Sequence, residues 1–177
     1  MNLIIGAPFW LVSIVLLALG AAAVEDALRF RIANLTCGVV FVTALMAMGL
    51  QGLSTVLWQN AVICIAILAV GTTLFAAGWL GGGDVKLLAG IGLWFDLRAS
   101  AGLLAAVFLS GGILGLVYIA TRRLAGSDRR SVGSERRVPY GLAIVFGALL
   151  TFGVQLSDRT ANPHIQNLRF PEGRAAR

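Results

Sequence analysis

The stretch Leu35–Gly83, LTCGVVFVTALMAMGLQGLSTVLWQNAVICIAILAVGTTLFAAGWLGGG, carries no charged side chain. One crossing of a bilayer takes roughly 20 apolar residues, so a run of this length holds two. Its natural break is Gly49-Leu50-Gln51-Gly52-Leu53-Ser54, where glycine and polar residues gather. The rest of the chain is built the same way: hydrophobic residues make up 58% and charged residues 12%, about half the charged share of a soluble domain. A single soluble core could not hide that much apolar surface.

Outward from this stretch, three more windows lack charge. Leu3–Val24, Ala99–Thr121 and Val138–Ser157 are each long enough for one helix. A shorter apolar segment, Gly81–Leu97, is interrupted by Asp84 and Lys86. At roughly 1.5 Å per residue it falls just short of the hydrocarbon thickness. The pattern predicts an all-α, polytopic membrane protein with about six transmembrane helices. Residues 1–157 form one membrane domain, and 158–177 form a polar C-terminal tail. Residues 1–23 end in Gly20-Ala21-Ala22-Ala23, which looks like a signal-peptidase site. A secretory signal, however, has a basic start and a short apolar stretch of about 7–15 residues, so a retained first helix is expected.

Several functions drop out on composition. Cys37 and Cys64 are the only cysteines and form no CxxC pair, and His164 is the only histidine. Neither a zinc site nor a histidine-based metal site is expected, and no cofactor is implied. The net charge of +6 comes from arginines in short connections, which in a membrane protein reads as topology and not as nucleic-acid binding. Arg29 and Arg31 follow the first helix, Lys86 follows the third, and Arg122, Arg123, Arg129, Arg130, Arg136 and Arg137 follow the fifth. The even-numbered connections offer Arg98 alone. Basic loops stay in the cytoplasm, so the odd connections are expected there and both termini outside, although the tail's own arginines run against this bias.

That topology makes a statement about two acids. Asp26 lies just past the first expected helix, and Asp84 lies two crossings later. An even number of crossings returns the chain to the same side, so the two carboxylates share a membrane face. Two carboxylates at close range resist ionising together, which leaves one protonated and one charged. Such a pair can hydrolyse an amide: the ionised member takes a proton from water, and the protonated member gives one to the scissile group. Asp26 alone, beside Glu25, Arg29 and Arg31, also reads as an ordinary interfacial charge. An acid next to a membrane segment, like Asp84, is costly and so a functional candidate. It follows Gly81, Gly82 and Gly83, whose lack of side chains would let an extended backbone approach. The plainer reading of this run is a glycine turn opening a helix, with Asp84 near the positive end of its dipole. Lys86 is the only lysine in a chain that otherwise uses arginine. It could keep a carboxylate charged, contact a substrate carbonyl, or anchor the helix by snorkelling.

The segment GGGDVKLL (Gly81–Leu88) resembles the GxGDxK signature of the type IV prepilin peptidases, a group of GxGD membrane aspartic proteases. Asp26–Asn34, DALRFRIAN, is similar to the first-aspartate region of that family, in which an Ile-Pro-Asn follows six residues after the acid. Arg31, Ile32 and Asn34 fit, and Ala33 stands where the family has proline. Val138-Pro139-Tyr140-Gly141-Leu142-Ala143-Ile144 resembles the Pro-Tyr-Gly-x-Ala stretch that opens the last helix. The resemblance spans about residues 10–155. It implies Asp26 and Asp84 as the catalytic pair. Gly81, Gly82, Gly83, Lys86, Asn34, Pro139 and Tyr140 would support the site or the substrate. The partners it implies are a prepilin substrate helix and membrane lipid. The location would be a bacterial inner membrane with the site facing the cytoplasm. Full-length members carry a cytoplasmic CxxC domain and methylate the new N-terminus. This chain lacks that insertion and looks like the short form of Flp-type (tight-adherence) pilus systems.

Two other readings use the same residues. A presenilin-like protease would employ the same acids but cut deeper in its substrate helix, and such enzymes carry Tyr-Asp where this chain has Glu25-Asp26. A small transporter or pilus-assembly scaffold would use the acids as an ion or proton path. The 22 glycines suit close helix packing in any of these.

Overall fold

The computed structural model describes residues 2–52, 58–124 and 140–161. Among these the secondary structure is entirely helical: α1 (Leu3–Gly6), α2 (Phe9–Arg29), α3 (Asn34–Leu50), α4 (Trp58–Ala76), α5 (Gly82–Gly92), α6 (Leu97–Leu124) and α7 (Tyr140–Ala161). By length and apolarity α2, α4, α6 and α7 can each cross a membrane. Helix α3, with 17 residues, is shorter. Helix α5 has 11 residues, about 16 Å at 1.5 Å each, and cannot cross alone. His164 and the arginines at 129–137 lie outside the described residues, as does Pro139.

The first apolar window departs from expectation. Leu3–Val24 does not form one helix but breaks at Ala7-Pro8, where Ala7 is extended at φ −75°, ψ 145°. Proline disfavours helical geometry in the residue before it and is well placed just before or at a helix start, so Pro8 ends one segment and opens the next. Asn2 caps the short α1, its side chain accepting the Ile4 N–H at 3.2 Å. Helix α2 then runs past Val24 to Arg29, so Asp26 stands inside the helix and not beyond it. At the other end of the chain α7 continues beyond Ser157 to Ala161.

The short α5 explains much of the packing. Its last carbonyls end inside the bundle, where an unpaired polar group costs several kcal/mol. The side-chain amide of Asn60, on α4, donates to the Leu93 carbonyl at 2.8 Å. The backbone N–H of Leu3 donates to the Trp94 carbonyl at 3.0 Å. Helix α1 therefore fills the depth that α5 leaves vacant. Gln51 holds α1 through the Leu3 carbonyl, and Arg159 holds it through the carbonyls of Ile4 and Ala7, all at 3.0 Å. Trp94 and Phe95 are fully buried and pack against Phe152 of α7 at ring separations of 5.9 and 5.2 Å. With its inner end so fixed, α5 presents its first turn at the opposite end of the bundle. Leu17, Leu28, Ile65, Phe108 and Leu116 face outward, as lipid contact requires.

Candidate active site

Asp26 lies near the end of α2 and is 4% exposed. Its Oδ2 accepts the backbone N–H of Leu142 at 2.9 Å. Leu142 is in the first turn of α7, where N–H groups have no partner within the helix and the helix dipole is positive. The contact depends on Gly141: a Cβ there would lie 2.6 Å from the Asp26 carboxyl carbon. Any other residue would push the carboxylate away from α7.

Asp84 is in the first turn of α5 and is also buried. Its Oδ2 accepts the N–H of Gly81 at 3.2 Å, which caps the start of its own helix. Burial pushes the Asp84 carboxyl up to about 6, helped by the negative charge of Asp26 and opposed by the Gly81 N–H. The two acids are therefore close enough for one to feel the other. Their proximity follows from the packing of α5 against the α2–α3 turn. A Cβ on Gly83 would sit 3.1 Å from the carbonyl oxygen of Ile32 and 3.2 Å from its Cβ. The close approach that Gly83 permits is made by the chain's own Ile32. Gly81 leaves room for the Asp84 carboxylate, since a Cβ there would meet Oδ2 at 2.8 Å, whereas Gly82 only touches Phe75 at 3.4 Å.

Lys86 is exposed, and its ammonium donates to the Asn34 side-chain oxygen at 2.9 Å. That bond ties α5 to the first residue of α3. Tyr140, at the start of α7, is exposed beside the buried Gly141.

Three groups beside the acids were not among the site residues expected from the sequence. Glu25 accepts the Ala33 N–H at 2.8 Å through Oε2, and the Thr36 hydroxyl donates to both its oxygens at 3.0 and 3.1 Å. The Cys37 thiol donates to the Gly83 carbonyl at 3.5 Å. Gly141 is the third. No short-range signal marks Glu25, which lies inside α2 and meets Ala33 and Thr36 because the α2–α3 turn folds back on it. The nearest neighbours of Asp26 in space, by contrast, are far away in sequence. Among the described residues no group of three or more His, Cys, Asp or Glu side chains gathers as a metal site would require.

Beside the acids an apolar cleft of about 360 Å³ opens between α5 and the α6–α7 pair, lined by Leu80, Leu88, Val107, Phe108, Gly111 and Tyr140. Leu80 precedes Gly81 and Tyr140 precedes Gly141, so the cleft borders the segments that hold the two carboxylates, although neither carboxylate lines it. A cavity of about 530 Å³ at the far end of the bundle is lined by Asn2, Asp96, Arg98, Gln155 and Asp158. Its two acids are not buried as Asp26 and Asp84 are: Asp96 is half-buried and accepts the Ala99 N–H at 3.0 Å, and Asp158 is exposed.

The fold and the candidate site are thus a bundle of apolar helices with two buried carboxylates near each other at one end. The model of the type IV leader peptidase family matches residues 13–119, and the chain belongs to that family. It is thus a peptidase and a multi-pass membrane protein. Both acids fall inside the matched segment, while Tyr140–Leu142 lies beyond it. Comparison with curated proteins and with solved structures gives no match.

Proposed function

We propose that this protein is an aspartic endopeptidase that removes the leader peptide of type IV, Flp-like prepilins at the cytoplasmic face of a bacterial inner membrane, with Asp26 and Asp84 as its catalytic residues. The observation that carries this reading is the pair of buried aspartates at one end of the bundle, one of them holding its proton up to about pH 6. In this scheme Asp84 is the protonated member. Asp26, facing the N-terminus of α7, is the ionised one. Asp26 takes a proton from water as the water oxygen adds to the scissile carbonyl, and Asp84 gives its proton to the carbonyl oxygen. The proton now on Asp26 passes to the departing nitrogen as the C–N bond breaks, and the collapsing gem-diol returns a proton to Asp84. The pair ends as it began.

Arg29 and Arg31 stand at the same end as the acids, which supports a cytoplasmic site by the positive-inside bias. The apolar cleft beside the dyad suits the hydrophobic helix of a prepilin, with the basic leader extending past the acids into water. Glycine before the cut would let the substrate leave helical geometry there. The test is purified protein in lipid vesicles with a prepilin, reading the new N-terminus by mass spectrometry. The expected product begins just after a glycine at the border of leader and apolar helix. Moving that glycine about two helical turns inward should stop cleavage. A cut that follows it inward would favour the presenilin-like alternative instead.

A further inference from the structure

The α2–α3 turn contains Phe30 in the left-handed region, φ 51°, ψ 32°. For a bulky residue this is an unfavourable conformation that persists only where its surroundings hold it. Ile32, two residues on, is buried against Gly83, the neighbour of Asp84. The turn is therefore the spacer between the end of α2, with Asp26, and the start of α5, with Asp84. What closes it is Glu25, the residue before Asp26. Its carboxylate takes the Ala33 N–H and the Thr36 hydroxyl, both at the start of α3.

We infer that Glu25 is a positioning residue that clasps the α2–α3 turn and thereby sets the apposition of Asp26 and Asp84. The inference rests on the reading of these two acids as the catalytic pair. The hydrogen-bond partners of Glu25 are a backbone N–H and a hydroxyl and not Asp26, so it acts through geometry. Ala33 has φ −68°, ψ 142°. A proline is locked at that φ and has no N–H to satisfy. A proline at position 33 would thus do covalently what the clasp does by hydrogen bonding.

This suggests a rescue experiment in lipid vesicles. Glu25→Ala should lower kcat about tenfold or more, the scale of a sub-ångström misplacement, with KM little changed. Glu25→Gln keeps a carbonyl oxygen for the Ala33 N–H and should stay within about threefold of the parent. Adding Ala33→Pro to Glu25→Ala should restore most of the lost kcat. A second readout is independent of catalysis: oxidative cross-linking of an Asp26→Cys/Asp84→Cys pair in a Cys37→Ser/Cys64→Ser background. Its yield should fall with Glu25→Ala and recover with Ala33→Pro, whether or not the acids are catalytic. If Glu25→Ala is not recovered from membranes, Ala33→Pro should restore recovery. Parent-like activity and cross-linking in Glu25→Ala would overturn the inference. So would a Glu25→Gln variant as impaired as Glu25→Ala, or a proline that rescues nothing. Failure of Asp26→Asn to stop cleavage would instead sink the catalytic assignment, with the cross-linking arm still deciding the role of Glu25.

Discussion

The two ends of the bundle meet the same difficulty with different chemistry. At the far end, α5 stops short and leaves carbonyls inside an apolar interior, and neutral groups answer them: the Asn60 amide meets Leu93 and the Leu3 N–H meets Trp94, while the Gln51 amide meets the Leu3 carbonyl of α1. Arg159 adds a cation whose charge is shared between two carbonyls and the Phe9 ring at 4.1 Å. At the site end, the buried groups are two carboxylates near enough for the charge of one to act on the other, and each accepts a backbone N–H from a helix start. The first arrangement lowers the energy of the fold. The second leaves one acid holding its proton well above the usual carboxylate range. On the proposed reading it is this retained proton, and not the burial of polar groups as such, that distinguishes the site end.

The contrast is most exposed to substitutions that keep size and remove proton exchange. Asp26→Asn and Asp84→Asn should each lower cleavage by about 10²–10⁴-fold or below detection while insertion is unaffected, since an amide cannot relay the proton. Asp96→Asn, at the far end, should cleave like the parent, because asparagine can still cap α6. Equal losses at all three positions would erase the difference between the ends. The next effect in size is at Gly141. A methyl group there must displace the Asp26 carboxyl, and Gly141→Ala should cost on the order of 100-fold in kcat with the protein still folded. Gly82→Ala, which meets Phe75 only at ordinary contact distance, is the matched control and should be tolerated.

The pH dependence sharpens the same comparison. A raised carboxyl value extends the protonated form upward, so Asp84 holds its proton below about 6 and loses it above. With Asp84 as the proton donor, kcat/KM should fall as pH rises through this range, by about tenfold per unit well above it. A profile flat from pH 5 to 8 would reassign the protonated partner. At the far end, Asn60→Ala should leave the Leu93 carbonyl unpaired and lower stability by about 1–3 kcal/mol, read as a lower melting temperature in detergent. Activity per folded molecule should change little, and a collapse of activity would mean that the depth of α5 controls the dyad directly. The smallest effect is expected at Lys86. Its ammonium is exposed and engaged by Asn34, and such a contact is worth about 0–1 kcal/mol. Lys86→Met should alter rates by about threefold at most and leave the pH profile in place. A shifted profile would show that the lysine reaches Asp84 when substrate is bound.

Charge-free windows identified the long helices because hydrocarbon excludes charge over a length set by the bilayer, and that constraint is local in sequence. The two acids were legible for a related reason: a carboxylate beside an apolar run is rare enough to stand out, and counting crossings puts both on one face. The break at Pro8 was missed, although the residue was in view, because apolarity alone does not register a lost N–H. The glycine run was only half legible. Its meaning as open space was clear, but not that Ile32 would occupy the space at Gly83.

What the sequence determined by itself is therefore the all-helical membrane architecture, from residue type and spacing, and a resemblance to the family, carried by short motifs that also contain the candidate acids. The tertiary structure alone decided how those acids are held. Leu142 lies 116 residues from Asp26, Asn60 lies 33 residues from Leu93, and Lys86 lies 52 from Asn34. None of these pairings has a local signature, because a backbone N–H or carbonyl is present at nearly every position. Which one meets a given side chain depends on how helices of unequal length stack, and in this chain that stacking is governed by the short α5 and the one-turn helix that completes it.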